Sequence, residues 1–185
     1  MELIAPNIRN LAGYLAALRS GWSSDNLRPE ATQEEIDAIE RDPGAFIASM
    51  DDRDGKIPGI TLPDGRVVPR LPGYVSWLWD GDFCGSIGFR WQPGTTELPP
   101  YCLGHIGFSV VPWKQKLGYG TRALALLLPD AWAREMPFVE LTCDDTNVGS
   151  RKVIEANGGQ LFEMFNKPAS YGGALSRRYR IARPR

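Results

Sequence analysis

The chain has 185 residues, of which 43% are hydrophobic and 23% charged, and its formal net charge is -1. This length predicts a single domain over residues 1–185, and the composition excludes disorder, collagen and coiled coil as descriptions of the whole chain. The near-zero charge argues against binding held mainly by counterion release, so we expect no nucleic-acid partner.

Histidine and cysteine are scarce in this sequence. His105 is the single histidine, so a zinc site of the His-Glu-x-x-His kind is impossible and we expect no metal. Cys84, Cys102 and Cys143 lack Cys-x-x-Cys spacing and predict neither a disulfide framework nor a thiolate metal site. Residues 1–20 lack a signal-peptide pattern, and no apolar run approaches about 20 residues, so we expect a cytoplasmic protein without a membrane partner.

The first third of the chain is predicted to be helical. Apolar residues recur at helical spacing over residues 8–18, which predicts a first helix. Thr32 followed by Glu35 is the capping-box pattern, and it predicts a second helix that ends before Pro43. A short third helix is predicted around residues 46–50.

Strands and turns are predicted from residue 56 onward. The turn sequences Pro63-Asp64-Gly65 and Asp80-Gly81-Asp82 each predict a hairpin. The later elements are predicted as strands over residues 105–111, 138–143, 160–165 and 176–181, and as helices over residues 118–134 and 150–156.

The most informative segment is residues 110–121, where a strand leads through a turn into a helix. Residues 112–122 contain three bases and no acid, and a helix N-terminus leaves its first N–H groups unpaired, which suits a phosphate. Gly118 and Gly120 would let the backbone approach an anion closely. Three interpretations compete for this segment: a structural turn, a dinucleotide fingerprint that fits its context poorly, and an acyl-coenzyme A pyrophosphate loop.

The third interpretation is favoured by a resemblance to a known family. Residues 115–120, Gln-Lys-Leu-Gly-Tyr-Gly, resemble the Gln/Arg-x-x-Gly-x-Gly/Ala motif of the GNAT superfamily of N-acetyltransferases. Residues 141–159 resemble the next strand and Asn-x-x-Ser helix of that family, and residues 71–75 and 104–108 are similar to a bacterial branch of it. The resemblance implies an α+β domain with a central, mostly antiparallel sheet and a splayed parallel strand pair, flanked by helices.

The resemblance also implies a reaction and a cofactor site. It implies an enzyme that moves an acetyl group from acetyl-CoA, as cosubstrate, to an amine of a small acceptor within a ternary complex. The backbone of residues 117–121 would hold the pyrophosphate, and the neighbouring strand and helix would hold the pantetheine arm. The implied cofactor-binding residues are Val110, Val111, Gln115, Lys116, Leu117, Gly118, Tyr119, Gly120, Thr121, Asn147 and Ser150.

The catalytic residue is predicted to be His105. An unperturbed imidazole titrates at about 6.5, which suits a general base near neutral pH. A buried, structural histidine is an equal alternative, and Glu97, Asp144 and Asp145 are weaker candidates for the same role. Many relatives carry a tyrosine as general acid seven residues after the asparagine, whereas this chain has Ile154 there.

Four further questions stay open at this stage. A Cys143/His105 pair could work through an acyl-enzyme, although a short strand cysteine is more often a core residue. The chain could also be an acyl-CoA-binding module without turnover. Residues 23–54 hold ten acidic and three basic side chains, which favours a cationic acceptor, or simply a solvated helix face. The pattern fits a monomer or a homodimer.

Overall fold

A computed structural model describes residues 1–25, 28, 31–62 and 65–185. Within these residues the helices are α1 (Leu11–Arg19), α2 (Ala31–Arg41), α3 (Pro43–Ser49), α4 (Tyr119–Ala133) and α5 (Val148–Ala156). The strands are β1 (Glu2–Ile4), β2 (Asp51–Asp52), β3 (Ile60–Thr61), β4 (Val67–Val68), β5 (Gly73–Trp79), β6 (Phe83–Arg90), β7 (Ile106–Val110), β8 (Phe138–Asp144), β9 (Gln160–Asn166) and β10 (Leu175–Ala182).

Two antiparallel sheets form the body of the domain. The first has the strand order β1-β5-β6-β7, and β2 adds to the start of β5. The second has the order β8-β10-β9, while β3 and β4 form a separate hairpin. β7 and β8, predicted as a splayed pair, are edge strands of different sheets and share no ladder in the described part of the chain. The predicted mixed α+β fold class is confirmed.

Two hydrophobic cores hold the elements together. The larger core packs Leu124 and Leu127 of α4 against both sheets, including Ile87 of β6 and Leu141 of β8. Each buried side chain of this size contributes roughly 1.5–3 kcal/mol to folding. The smaller core places α1 and α3 on the other face of the first sheet and is rich in aromatic rings. Its centre is Tyr14, whose ring stacks on Trp77 with centroids 5.1 Å apart. The two cores therefore fix the first sheet from both faces.

Most of the predicted elements are confirmed, with two corrections. The first third is not wholly helical, because β1 and β2 extend the first sheet there. The capping box at Thr32 and Glu35 is wrong, because α2 has already begun at Ala31. Pro63 and Asp64 of the first predicted hairpin lie outside the described residues, and so do residues 26, 27, 29 and 30 of the acidic segment. Nowhere in the described ranges does a helix have the length and apolar character needed to cross a membrane.

Candidate active site

A cleft opens where the two sheets part. The backbone N–H of His105 donates to the carbonyl of Glu140 at 2.8 Å, and the Thr142 hydroxyl donates to the carbonyl of Leu103 at 2.6 Å. Gly104 lies so close to β8 that a Cβ there would stand 3.0 Å from the Glu140 carbonyl oxygen. Beyond this junction β7 and β8 share no ladder. A cavity of about 760 Å³ is lined by residues of both strands.

The edge of β7 presents backbone groups that are not bonded to β6. At the two ends of the β6–β7 ladder, the carbonyl of His105 accepts from Arg90 at 2.9 Å and the N–H of Val111 donates to Cys84 at 3.0 Å. Antiparallel ladders bond alternate residues to the partner strand, so the backbone groups of Phe108 and Val110 point away from β6. These two residues therefore offer hydrogen-bond donors and acceptors to an extended ligand.

Val111 does not have the position predicted for it. Its side chain is fully buried, its N–H is bonded to Cys84, and its carbonyl accepts from the N–H of Lys114 at 2.9 Å. The prediction that Val111 offers main-chain groups to the cofactor is therefore not supported by the geometry, and Phe108 has that position instead. Gln115 reaches back to the same edge, where its Nε2 donates to the Val110 carbonyl at 3.2 Å.

The predicted pyrophosphate loop lies at the N-terminus of α4. Gly118 is the N-cap, with φ of 78°, and Lys116 also has a left-handed backbone, with φ of 64°. Residues 115–118 are exposed, and the first amides of α4 face outward without intrahelical partners. A Cβ on Gly118 would meet nothing within 4 Å. The loop is thus an open cluster of amide donors at the positive end of a helix dipole.

Gly120 lies in a tightly packed contact between elements. A Cβ at this position would lie 3.2 Å from Cγ2 of Val153 and 3.6 Å from Cε2 of Phe108. The missing side chain therefore allows α4 to pack closely on α5 and β7.

An aspartate in the β5–β6 turn fixes the base of this loop. The Asp80 carboxylate accepts from Nζ of Lys114 and from the hydroxyl of Tyr119, both at 2.7 Å. These donors hold the pKa of Asp80 well below its usual range. The Lys114 charge is therefore partly neutralised, which leaves Lys116 and Arg122 as the exposed bases of the loop.

Asn147 and Ser150 lie together on the β8 side of the cleft. The Asn147 side chain caps α5 by accepting from the backbone N–H of Ser150 at 2.9 Å. Both residues line the cavity. The cap uses only the amide oxygen of Asn147, so its NH₂ group is still a possible donor to a ligand.

Comparison with known families shows which family the chain belongs to. Residues 28–160 match the model of the acetyltransferase (GNAT) domain. The chain belongs to the GNAT acetyltransferase family. It is therefore an acetyl-CoA-dependent acetyltransferase, as the loop motif implied. Comparison with curated proteins gives no significant match.

Solved structures show the same GNAT fold. RimJ from Mycobacterium smegmatis is 18% identical, with a TM-score of 0.66 over 97% of this chain and 80% of RimJ. The microcin self-immunity acetyltransferase MccE, solved with acetyl-CoA and AMP, is 14% identical, with a TM-score of 0.64 over 98% of this chain and 91% of MccE. RimL, a ribosomal alpha-N-protein acetyltransferase, is 12% identical, with a TM-score of 0.61 over 97% of this chain and 92% of RimL.

His105 of this GNAT domain is fully buried and does not line the cavity. Its Nδ1 accepts from the backbone N–H of Glu140 at 2.9 Å, which assigns the ring proton to Nε2. Burial lowers the pKa of His105 from 6.5 to about 4, although the Glu140 carboxylate opposes this shift. No lone pair of the ring is directed at the cleft, so the geometry supports the structural alternative rather than the predicted general base.

Three other predicted candidates, Cys143, Asp144 and Asp145, are deactivated or ion-paired. Burial raises the pKa of the Cys143 thiol to about 11, the opposite of the change that an attacking thiolate needs. Asp144 forms an ion pair with Lys167 at 2.6 Å, and Asp145 forms one with Arg177 at 2.6 Å. Ile154 stands where many relatives carry a tyrosine as general acid, and it is 1% exposed within the larger core.

A polar cluster that the sequence pattern does not reveal lines the opposite wall of the same cleft. The Glu35 carboxylate accepts from the Tyr14 hydroxyl and from the Ser24 hydroxyl, both at 2.7 Å. Desolvation raises the pKa of Glu35 above its ordinary value, and Asp25 and Glu34 add to the shift. In the sequence Glu35 is one of the ten acids of residues 23–54, and its spacing from Thr32 predicts a cap instead.

Proposed function

We propose that this acetyltransferase moves the acetyl group of acetyl-CoA to a primary amine of a small, cationic acceptor, directly and within a ternary complex. One observation carries the proposal. A single cavity of about 760 Å³ is lined by Phe108, Asn147 and Ser150 on the cofactor side and by Glu34 and Glu35 on the helical side. This volume is in the range of small-molecule sites, so both substrates could meet in it.

The cofactor half of the proposal uses backbone groups first. The amides of residues 117–121, at the N-terminus of α4, would bind the pyrophosphate, with Gln115 and Lys116 at its edge. The free edge of β7 at Phe108 and Val110 would pair with the amides of the pantetheine arm, as an added strand does. Asn147 would donate its NH₂ group to the arm from the other wall.

The acceptor half of the proposal is based on charge. Glu34 and Glu35 line the cavity, together with Asp25. Arg28 neutralises part of this negative charge, because its guanidinium donates to both carboxylate oxygens of Glu34 at 2.7 Å. Glu35 is bound by two neutral hydroxyls, so its charge is available to an ammonium group.

Direct transfer is favoured over an acyl-enzyme because Cys143 is a buried thiol with a raised pKa. No dedicated general acid is needed, since a free thiol has a pKa of about 8.5 and leaves readily as the thiolate. Ser150, which lines the cavity, or water can return the proton.

The competing acceptor is the α-amine of a protein. RimL among the structural neighbours is an alpha-N-protein acetyltransferase, and it shares the fold of this chain. A second competitor is a module that binds acyl-CoA without turning it over. The cytoplasmic location remains part of the proposal, and it is supported by three free cysteines.

The test is a pair of measurements on the full chain. Acetyl-CoA at 100 times its dissociation constant should stabilise the protein by about 2.7 kcal/mol in thermal denaturation. An assay of free CoA should then detect transfer to small amines, with peptides bearing free N-termini as the second arm. Stabilisation without CoA release would favour the binding module, and release with peptides alone would favour a protein acceptor. No stabilisation would overturn the proposal.

A further inference from the structure

Glu35 lies at the meeting point of three segments. Tyr14 comes from α1, Ser24 from the loop after α1, and Glu35 from α2, so the chain folds to bring two hydroxyls onto one carboxylate. The Tyr14 ring cannot move away, because Trp22, Phe46, Trp77 and Phe83 surround it with ring centroids 5.1–5.7 Å distant. The carboxylate is therefore held in a fixed position on the wall of the cleft.

A chain of hydrogen bonds connects the Glu35 carboxylate to β7, the strand that would bind the pantetheine arm. The Ser109 hydroxyl of β7 donates to the carbonyl of Ser23 at 3.0 Å, and Nε1 of Trp22 donates to the Ser109 hydroxyl at 2.9 Å. Ser24, the next residue, donates to Glu35 at 2.7 Å. Because Ser23 and Ser24 are consecutive residues, these hydrogen bonds connect the Glu35 carboxylate to β7.

Among the residues that the structure describes, the groups that interact with Glu35 bring hydroxyl donors and negative charge, and no base is among them. Tyr14 of α1 and Ser24 of the loop donate to it, Asp25 of the loop and Glu34 of α2 add negative charge, and α3 contributes the apolar ring of Phe46 to this core. The other cavity-lining carboxylates with known partners are ion-paired, Glu34 with Arg28 and Asp144 with Lys167. Glu35 alone combines a place on the cavity wall, fixed geometry and purely neutral donors among these three.

We propose that Glu35 is the general base that accepts the proton of the acceptor amine, an inference that rests on the proposed function. The ammonium group R–NH₃⁺ gives one proton to the Glu35 carboxylate. The freed lone pair of nitrogen forms the C–N bond to the thioester carbon, the C–S bond breaks, and CoA leaves as the thiolate. The second proton lost by nitrogen reaches the thiolate through solvent, and Glu35 returns its proton to solvent.

The energetic need for such a base is large. An alkylamine with a pKa of about 10.4 must lose a proton before it attacks, and at pH 7 this costs about 4.6 kcal/mol. A carboxylate whose pKa is raised by burial is better matched to this proton transfer than an ordinary one. General bases typically contribute about 10²–10⁴-fold to the rate.

The test compares Glu35→Gln with Asp37→Asn, an exposed acid on the same helix that does not line the cavity. CoA release from acetyl-CoA is followed with propylamine, propane-1,3-diamine, benzylamine and glycinamide between pH 5 and pH 9 (about two pH units either side of neutrality). We expect kcat to fall about 100-fold or more in Glu35→Gln, with the acidic limb of its pH profile lost. Asp37→Asn should retain the wild-type rate and profile.

A second variant keeps the test decisive if Glu35→Gln does not fold. The Ser24 hydroxyl lowers the pKa of Glu35, so Ser24→Ala should move the acidic limb of the wild-type profile to higher pH. A purely structural role would leave that limb in place. Unchanged rates and profiles in Glu35→Gln, or an unmoved limb in Ser24→Ala, would overturn the role of Glu35 while the transfer itself stands. Wild-type protein that is stabilised by acetyl-CoA but acetylates none of the amines would overturn the proposed function, and the base with it.

Discussion

His105 and Glu140 exchange two hydrogen bonds at the point where the sheets part. The carbonyl of Glu140 accepts from the His105 backbone N–H at 2.8 Å, and the N–H of Glu140 donates to Nδ1 of the ring at 2.9 Å. The imidazole thus takes the place of a backbone acceptor and joins the start of β7 to the middle of β8. The junction must hold if the cleft beyond it is to keep its width.

This arrangement predicts a pH-dependent stability. Burial lowers the pKa of His105 from 6.5 to about 4 in the folded chain, so the unfolded chain binds more protons between these values. His105 therefore makes its full contribution to the free energy of unfolding above pH 6.5. This contribution is lost as the pH drops from 6.5 to about 4, which lowers the free energy of unfolding by up to about 3 kcal/mol. In denaturant titrations, the free energy of unfolding should fall less between pH 6.5 and pH 4 in His105→Gln than in the wild type. An equal fall in both proteins would contradict a buried, neutral imidazole ring.

Cys143→Ala is expected to remain an active enzyme. The thiol lines the cavity, but burial raises its pKa to about 11, so it is almost wholly protonated near neutral pH. We expect kcat to change by less than about threefold, since a protonated thiol is a poor nucleophile and takes no part in the proposed direct transfer. Mass spectrometry of wild type mixed with acetyl-CoA should show no added acetyl group. An acetyl adduct that disappears in Cys143→Ala would establish the acyl-enzyme route instead.

Local patterns make much of this fold predictable. The two later helices and the β5–β6 hairpin are predicted correctly because helical periodicity and turn residues are properties of short segments. The loop at residues 115–120 is recognisable for the same reason, because its glycines and the helix N-terminus that follows are features of a short segment. The sequence motif by itself therefore indicates the cofactor side of the cleft.

Long-range pairing limits the rest of the prediction. Whether Phe108 or Val111 faces the cleft depends on which residues of β7 bond to β6, and the N–H of Val111 bonds to Cys84, far away in sequence. The Glu35 carboxylate accepts a hydrogen bond from Tyr14, 21 residues earlier. Its spacing from Thr32 therefore leads to the wrong prediction of a capping box. Tertiary contacts override such local signals because they decide which side chains lose water.

Gly120 is expected to be sensitive to a single added methyl group. Alanine gains about 1 kcal/mol of helix propensity over glycine, whereas overpacking costs about 1–3 kcal/mol. Its Cβ would lie 3.2 Å from Cγ2 of Val153, so we expect a net loss of about 1 kcal/mol in Gly120→Ala. Val153→Ala in the same chain should recover part of this loss, which a double-mutant cycle measures. Lys152→Ala, at the exposed neighbour, serves as the control and should show no coupling.

Asn147 offers a way to separate helix capping from cofactor binding. Its side-chain oxygen accepts from the backbone N–H of Ser150 at 2.9 Å, and aspartate can accept in the same way. Asn147→Asp should therefore keep the stability of the wild type, whereas Asn147→Ala should lose about 1 kcal/mol.

Asn147→Asp and Asn147→Ala should both bind acetyl-CoA more weakly than the wild type. Both lack the NH₂ group that we expect to donate to the pantetheine arm, and losing one such hydrogen bond at a buried partner costs about 1–3 kcal/mol. Calorimetric titration with acetyl-CoA should show a Kd that is raised about fivefold or more in Asn147→Asp as well as in Asn147→Ala. If Asn147→Asp instead binds acetyl-CoA as tightly as the wild type, Asn147 acts only as the cap of α5.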